Sequence, residues 1–161
     1  MQLLLDADAF LCLRKISLLK CLVGSQKINL VMTSYVARHE LNAVKPDIDS
    51  LVQAAKLTIA GVKLGTSEFR QYRVFQRTHD KGEAEAIAWA VTHRSPELFF
   101  VSQDAGALRL AKNENIPHGN VARLGVELAR WGIVSEAKVS TLFAPCYQNL
   151  NACGHGCPGS L

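Results

Sequence analysis

Short, unbroken apolar runs alternate along this chain with longer stretches in which apolar positions recur every three to four residues. The first pattern marks strands buried on both faces and the second marks amphipathic helices. Residues 2–6, with the run LLL, read as the first strand. Leu11, Ile16, Leu18, Leu19 and Leu22 then carry a helical stretch to Val23, which Gly24 ends. INLVMTS (28–34) reads as a second buried strand, after which Thr33 or Ser34 can cap a helix running to about Val44. Pro46 interrupts the chain. Residues 47–59 are expected as helix, 61–65 as a short extended piece and 67–79 as a helix. Another helix starts near Asp80, and Pro96 separates it from a third core strand, Leu98 to Ser102. Asp104 opens a helix to about Asn113, and 121–131 and 135–143 are helical. This order predicts an α/β fold, a central parallel sheet with helices on both faces.

Composition narrows the picture. With 161 residues and 48% hydrophobic content, the chain can bury one good core but not two. Residues 1–144 are expected to form that domain, and 145–161, rich in glycine and cysteine, to be an appendage. No apolar run has the length of a signal-peptide core or a membrane span, so a soluble, cytoplasmic protein without a membrane partner is expected. Five cysteines, an odd number, argue against a closed disulfide framework, and Cys12 and Cys21 read as buried thiols. In the tail, Cys146, Cys153, His155 and Cys157 supply the side chains of a four-coordinate zinc site. Their two-residue spacings are tighter than those of zinc knuckles, and an unstructured tail is the favoured reading. A net charge of +4 favours an anionic partner without requiring one.

The acidic residues change the picture most. Asp6 and Asp104 each follow an apolar strand, which places them at the carboxyl ends where open α/β sheets bind ligands. Either could be a plain helix cap. Glu40 shares a helix face with Val36, Ala37, Ala43 and Val44, and so is expected to need a cation or a buried arginine. Glu83 fits a capping box with Asp80, yet it also heads the stripe Ala86, Ile87, Ala90 that faces the core. Glu85 projects nearly opposite, toward solvent or a neighbouring helix. Four carboxylates converging on one region repel one another at neutral pH, and a hard divalent cation, Mg²⁺ or Mn²⁺, is the usual answer. Asp8 and Ser102 are supporting candidates, the latter as a hydroxyl for a phosphate oxygen or a metal-bound water. Arg70, Arg73 and Arg77 share one helix face and, with Arg38, Arg109 and Lys112, could track a nucleic-acid backbone; a solvated surface explains the stripe equally well.

In order and separation, the blocks LLLDADAF, the Glu40 helix, GEAEAIAWA and FFVSQDAGALRLA resemble PIN-domain ribonucleases, in particular the small single-domain toxins of toxin–antitoxin pairs. The likeness spans Gln2 to Trp131. It implies a three-layer α/β/α fold and a metal-dependent endoribonuclease acting on single-stranded RNA. It also implies an acidic Mg²⁺ or Mn²⁺ site of Asp6, Glu40, Glu83 and Asp104, a homodimer and an antitoxin partner. Asp8 stands where relatives often have a small polar residue, and Gln103 where they often have a second acid. Two alternatives stay open. LLLDADAF also resembles the nucleophile motif of haloacid dehalogenase-like phosphatases, with Asp6 as nucleophile and Asp8 as general acid. A non-catalytic RNA-binding domain of the same fold is the other.

Overall fold

The structure is a computed structural model and describes residues 1–144. The tail 145–161, with its candidate zinc residues Cys146, Cys153, His155 and Cys157, lies outside the described residues. Five parallel strands form one sheet: β1 (Gln2–Leu5), β2 (Asn29–Thr33), β3 (Leu57–Ala60), β4 (Leu98–Val101) and β5 (His118–Gly119), in the order β3-β2-β1-β4-β5.

Helices cover both faces, and the strand period of two decides which side chain faces which layer. Leu3 and Leu5 of β1, Leu30 and Met32 of β2, and Phe99 and Val101 of β4 enter one buried cluster. That layer is built by α1 (Ala7–Lys15), α2 (Leu18–Gly24), α3 (Lys45–Gln53), α7 (Val121–Arg130) and α8 (Glu136–Phe143). Leu4, Val31, Leu98 and Phe100 point the other way, onto α4 (Ser67–Phe75), α5 (Lys81–Thr92) and α6 (Ala105–Asn113). The expected α/β sandwich of three layers is thus the architecture found. No helix among the described residues is long and apolar enough to cross a membrane.

Several local expectations change. Residues 57–59, expected as the end of a helix, form β3 together with Ala60, because LTIA pairs with Leu30 to Thr33 of β2 once the chain has turned at Ala55, φ 53°. The two-residue β5 escapes any periodicity argument; it exists because Phe100 and Val101 offer it a ladder. The stretch after β2 is not a regular α-helix. It is a π-helical turn over Val36–Glu40, closed by Leu41 N donating to Val36 O at 3.2 Å, followed by a 3₁₀ turn over Asn42–Val44. Pro46 opens α3 instead of ending an element, a position where its missing N–H costs nothing. Cys12 is buried but disulfide-bonded, against the expectation of a free thiol, whereas Cys21 is a free thiol but only half-buried.

Candidate metal centre

The chain leaves β1 for β2 and β3 on one side and returns to β4 and β5 on the other, so the sheet reverses its order between β1 and β4. At such a switch point two adjacent strands send their continuations apart and leave a crevice at the carboxyl ends. A cleft of about 160 Å³ opens there, lined by Asp6, Ala7, Asp8, Val36, Glu40, Asp80, Gly82, Glu83 and Asp104. All four expected acids and Asp8 therefore share it.

Asp6 and Asp104 are both helix caps and cleft residues. Asp6 Oδ1 accepts from Ala9 N at 2.7 Å to start α1, and Asp104 Oδ1 accepts from Ala107 N at 2.8 Å to start α6. Capping orients each carboxylate and leaves oxygen capacity for the cleft. Ser102, fully buried, ties the two together: its Oγ accepts from Asp104 N at 3.0 Å and its hydroxyl bonds the Asp6 carboxylate. Its hydroxyl is thus engaged with the acids themselves, in keeping with a supporting place beside them.

Glu83 has only half of a capping box. Asp80 Oδ1 accepts from Glu83 N at 2.9 Å, but the Glu83 side chain bonds Asp104 instead of reaching back. Glu40 arrives from the end of the π-helical turn. Its residue is largely exposed, unlike the apolar-faced position expected, but its carboxylate lies against Gly82, where any Cβ would collide with Glu40 Oε1. A glycine at this point of α5 is what lets the two approach.

The electrostatics follow from crowding. Burial pushes the Asp6 carboxyl up to about 7, with Asp8 and Glu40 adding repulsion against the lowering bonds from Ser102 and Ala9. Burial, the charge of Asp80 and the bond to Asp104 push Glu83 up to about 8. Glu40 is raised by burial and then by Asp80, Asp8 and Glu85. Asp104 goes down: burial opposes its ionisation, but bonds from Ala107 N, Glu83 and Gly106 N and the nearby Arg109 charge outweigh it. One proton held between Glu83 and Asp104 thus relieves part of the repulsion.

The donor set fits a hard cation. It is all oxygen, it carries excess negative charge, and Gly82 leaves a Glu40 oxygen room that a side chain would take. At the end of β2, the buried Thr33 Oγ1 has no hydrogen-bond partner among the described residues. Among the described residues, no three acidic, histidine or cysteine side chains are already closed into a cage that could hold an ion.

The basic candidates divide. Arg109 lies close to Asp104, and Arg38 is exposed within the π-helical turn that ends at Glu40. Arg70, Arg73 and Arg77 are exposed on or just beyond α4, with Arg77 three residues before the cleft residue Asp80. Lys112 sits in the last turn of α6, about 10 Å along the helix from its start and so at its far end from Asp104. Sequence reasoning missed the contact of Tyr35 with His39, ring centroids 4.6 Å apart, and Lys81 Nζ, 5.8 Å from the centroid of the Tyr35 ring. It also misplaced Glu85, which is buried. Gln103 turns away to accept from Val121 N at 3.0 Å. Of two roomier clefts, the one of about 270 Å³ beside Arg94 gathers no acid, and the one of about 280 Å³ beside Arg14 gathers a single acid, Asp47, already paired with Arg14 at 2.8 Å. The chain matches no protein-family model and no curated protein.

Proposed function

We propose that the protein is a divalent-metal-dependent endoribonuclease that hydrolyses phosphodiester bonds of single-stranded RNA. The observation that carries this reading is the convergence of Asp6, Glu40, Glu83 and Asp104 from four separate elements on one cleft at the switch point. Evenly capped helices would not need it. Asp6, Glu40, Glu83 and Asp104 would hold the ion, with Asp8 at the rim. Bound there, Mg²⁺ or Mn²⁺ would supply a water of lowered pKa and offset charge on the scissile phosphate. Ser102 keeps Asp6 and Asp104 in mutual register, and a cation bound beside Glu83 would favour loss to solvent of the proton that Glu83 holds against Asp104. Arg109, next to Asp104, would meet a phosphate oxygen, and Arg77, three residues before Asp80, would extend positive charge from the cleft.

The toxin role, the antitoxin partner and the homodimer rest on the resemblance to PIN-domain toxins. A phosphatase using Asp6 and Asp8 would leave Glu40 and Glu83 without a purpose in the same cleft. Purified protein given RNA and, separately, a phosphomonoester, each with Mn²⁺ or EDTA, separates the readings. RNA cleavage with Mn²⁺ that EDTA abolishes is expected. Phosphate release without cleavage would sink the nuclease reading in favour of the phosphatase, and binding without either reaction would favour a non-catalytic domain.

A further inference from the structure

Glu85 is 7% exposed and lies between α5 and the ends of β2 and β3. Its Oε2 accepts from Tyr35 N at 2.7 Å, and its Oε1 accepts from Ser34 Oγ at 2.9 Å and, at the long limit, from Val62 N at 3.5 Å. No Lys, Arg or His among the described residues forms an ion pair with it. A buried carboxylate answered only by hydrogen-bond donors is expensive to keep, and these donors share one feature. Ser34 and Tyr35 are the entry to the π-helical turn Val36–Glu40, and Tyr35 is its capping residue.

A turn closed by i→i+5 bonds is a poor structure by its own local energetics, so its surroundings must hold it. Here α5 holds both ends. Glu85 grips the entry through the Tyr35 amide, and one turn earlier on the same helix the bare Gly82 accommodates the carboxylate of Glu40 at the exit. We propose that Glu85 is a positioning residue for Glu40, setting the carboxylate in the cleft by fixing the π-helical turn that carries it. The inference rests on reading Glu40 as a cation ligand.

Only a carboxylate of this length presents two acceptor oxygens to these donors. Glutamine keeps a single acceptor oxygen: with it on Tyr35 N, its NH₂ faces Ser34 Oγ, which can accept, and Val62 N, which cannot, and the charge-assisted bonds are lost. Two measurements test the role. In hydrogen–deuterium exchange, Glu85→Gln should speed exchange of amides 35–41 by roughly tenfold or more while β1 and β4 stay protected. In titrations with Mn²⁺ alone, the same substitution should weaken binding by roughly tenfold in the wild-type background. In a Glu40→Gln background it should change Mn²⁺ affinity by less than about twofold, because the ligand it positions is already gone.

Ser34→Ala, which removes one donor and leaves the Tyr35 bond, should shift both readouts the same way by less and serves if Glu85→Gln does not fold. Unchanged exchange at 35–41, or equal loss of Mn²⁺ affinity in both backgrounds, overturns the proposal. If the wild-type protein binds no Mn²⁺, the metal reading fails by itself, and the exchange data alone decide whether Glu85 holds the turn.

Discussion

Asp6 and Asp104 have a structural task beside the chemical one proposed for them, and substitution can separate the two. Asp6 and Asp104 cap helices through a single oxygen, which asparagine supplies equally well. Asp6→Asn and Asp104→Asn should therefore melt within a few degrees of wild type and lose roughly a hundredfold or more of RNA cleavage. A variant with wild-type cleavage would falsify the metal role of that residue. Gly82→Ala makes the converse case. The added methyl meets the mobile end of Glu40, which can swing aside, so the fold should keep or slightly gain stability while Mn²⁺ affinity falls as it does in Glu40→Gln. Titration of Mn²⁺ into both variants is the comparison to make. For Glu85, the sequence pattern predicts near-wild-type behaviour of Glu85→Gln, and its burial reverses that expectation.

At the scale of elements, the helix starts gathered at one edge of the sheet do the work. The amino-terminal ends of α1, α5 and α6 all meet the cleft, each capped by an aspartate, and partial positive charge there favours anionic side chains. That field does not suffice for Asp6 and Glu83, whose carboxyls are raised from 3.8 to about 7 and from 4.5 to about 8. A carboxyl with a folded pKa above its unfolded one contributes stability below the unfolded value and loses it as pH rises through the folded value. Metal-free protein should thus become less stable between about pH 4 and 8, and denaturant melts across that window check the sign. Away from the cleft, Gly125 of α7 allows the approach of α8: an added Cβ would lie 2.7 Å from Cε2 of the fully buried Phe143. Gly125→Ala should cost about 1–3 kcal/mol of stability and leave cleavage per folded molecule unchanged.

For the whole molecule, a cation that binds only the folded state must raise the melting temperature by mass action, by about 2.7 kcal/mol of stability at a concentration one hundred times Kd. The gain should grow from pH 5 to 8, because binding has to displace the protons held by Asp6 and Glu83. An unchanged midpoint with millimolar Mn²⁺ at pH 8 would count against the site. The layered architecture explains why so small a cleft holds so much charge. Both faces of the sheet are closed by apolar clusters, so polar groups from β1, β2 and β4 can leave the core only at the strand ends.

The layer order was legible in the chain because buried parallel strands are apolar throughout and amphipathic helices are not, a contrast that survives without knowledge of neighbours. Asp6, Asp104 and Glu83 were legible for a related reason: each sits at a boundary between elements, where periodicity changes and a cap is needed. The pairing of LTIA into β3 and of His118–Gly119 into β5 was not, since short strands exist only through the ladder a neighbour offers. Nor was the π-helical turn, which depends on α5 gripping it from outside. Glu85 shows the limit most plainly. On an isolated helix it faces away from the apolar stripe and belongs in water, but the tertiary structure brings Ser34, Tyr35 and Val62 to that face. Local sequence records the side of a helix on which a residue lies; which donors arrive there is decided by chain segments some twenty to fifty residues away.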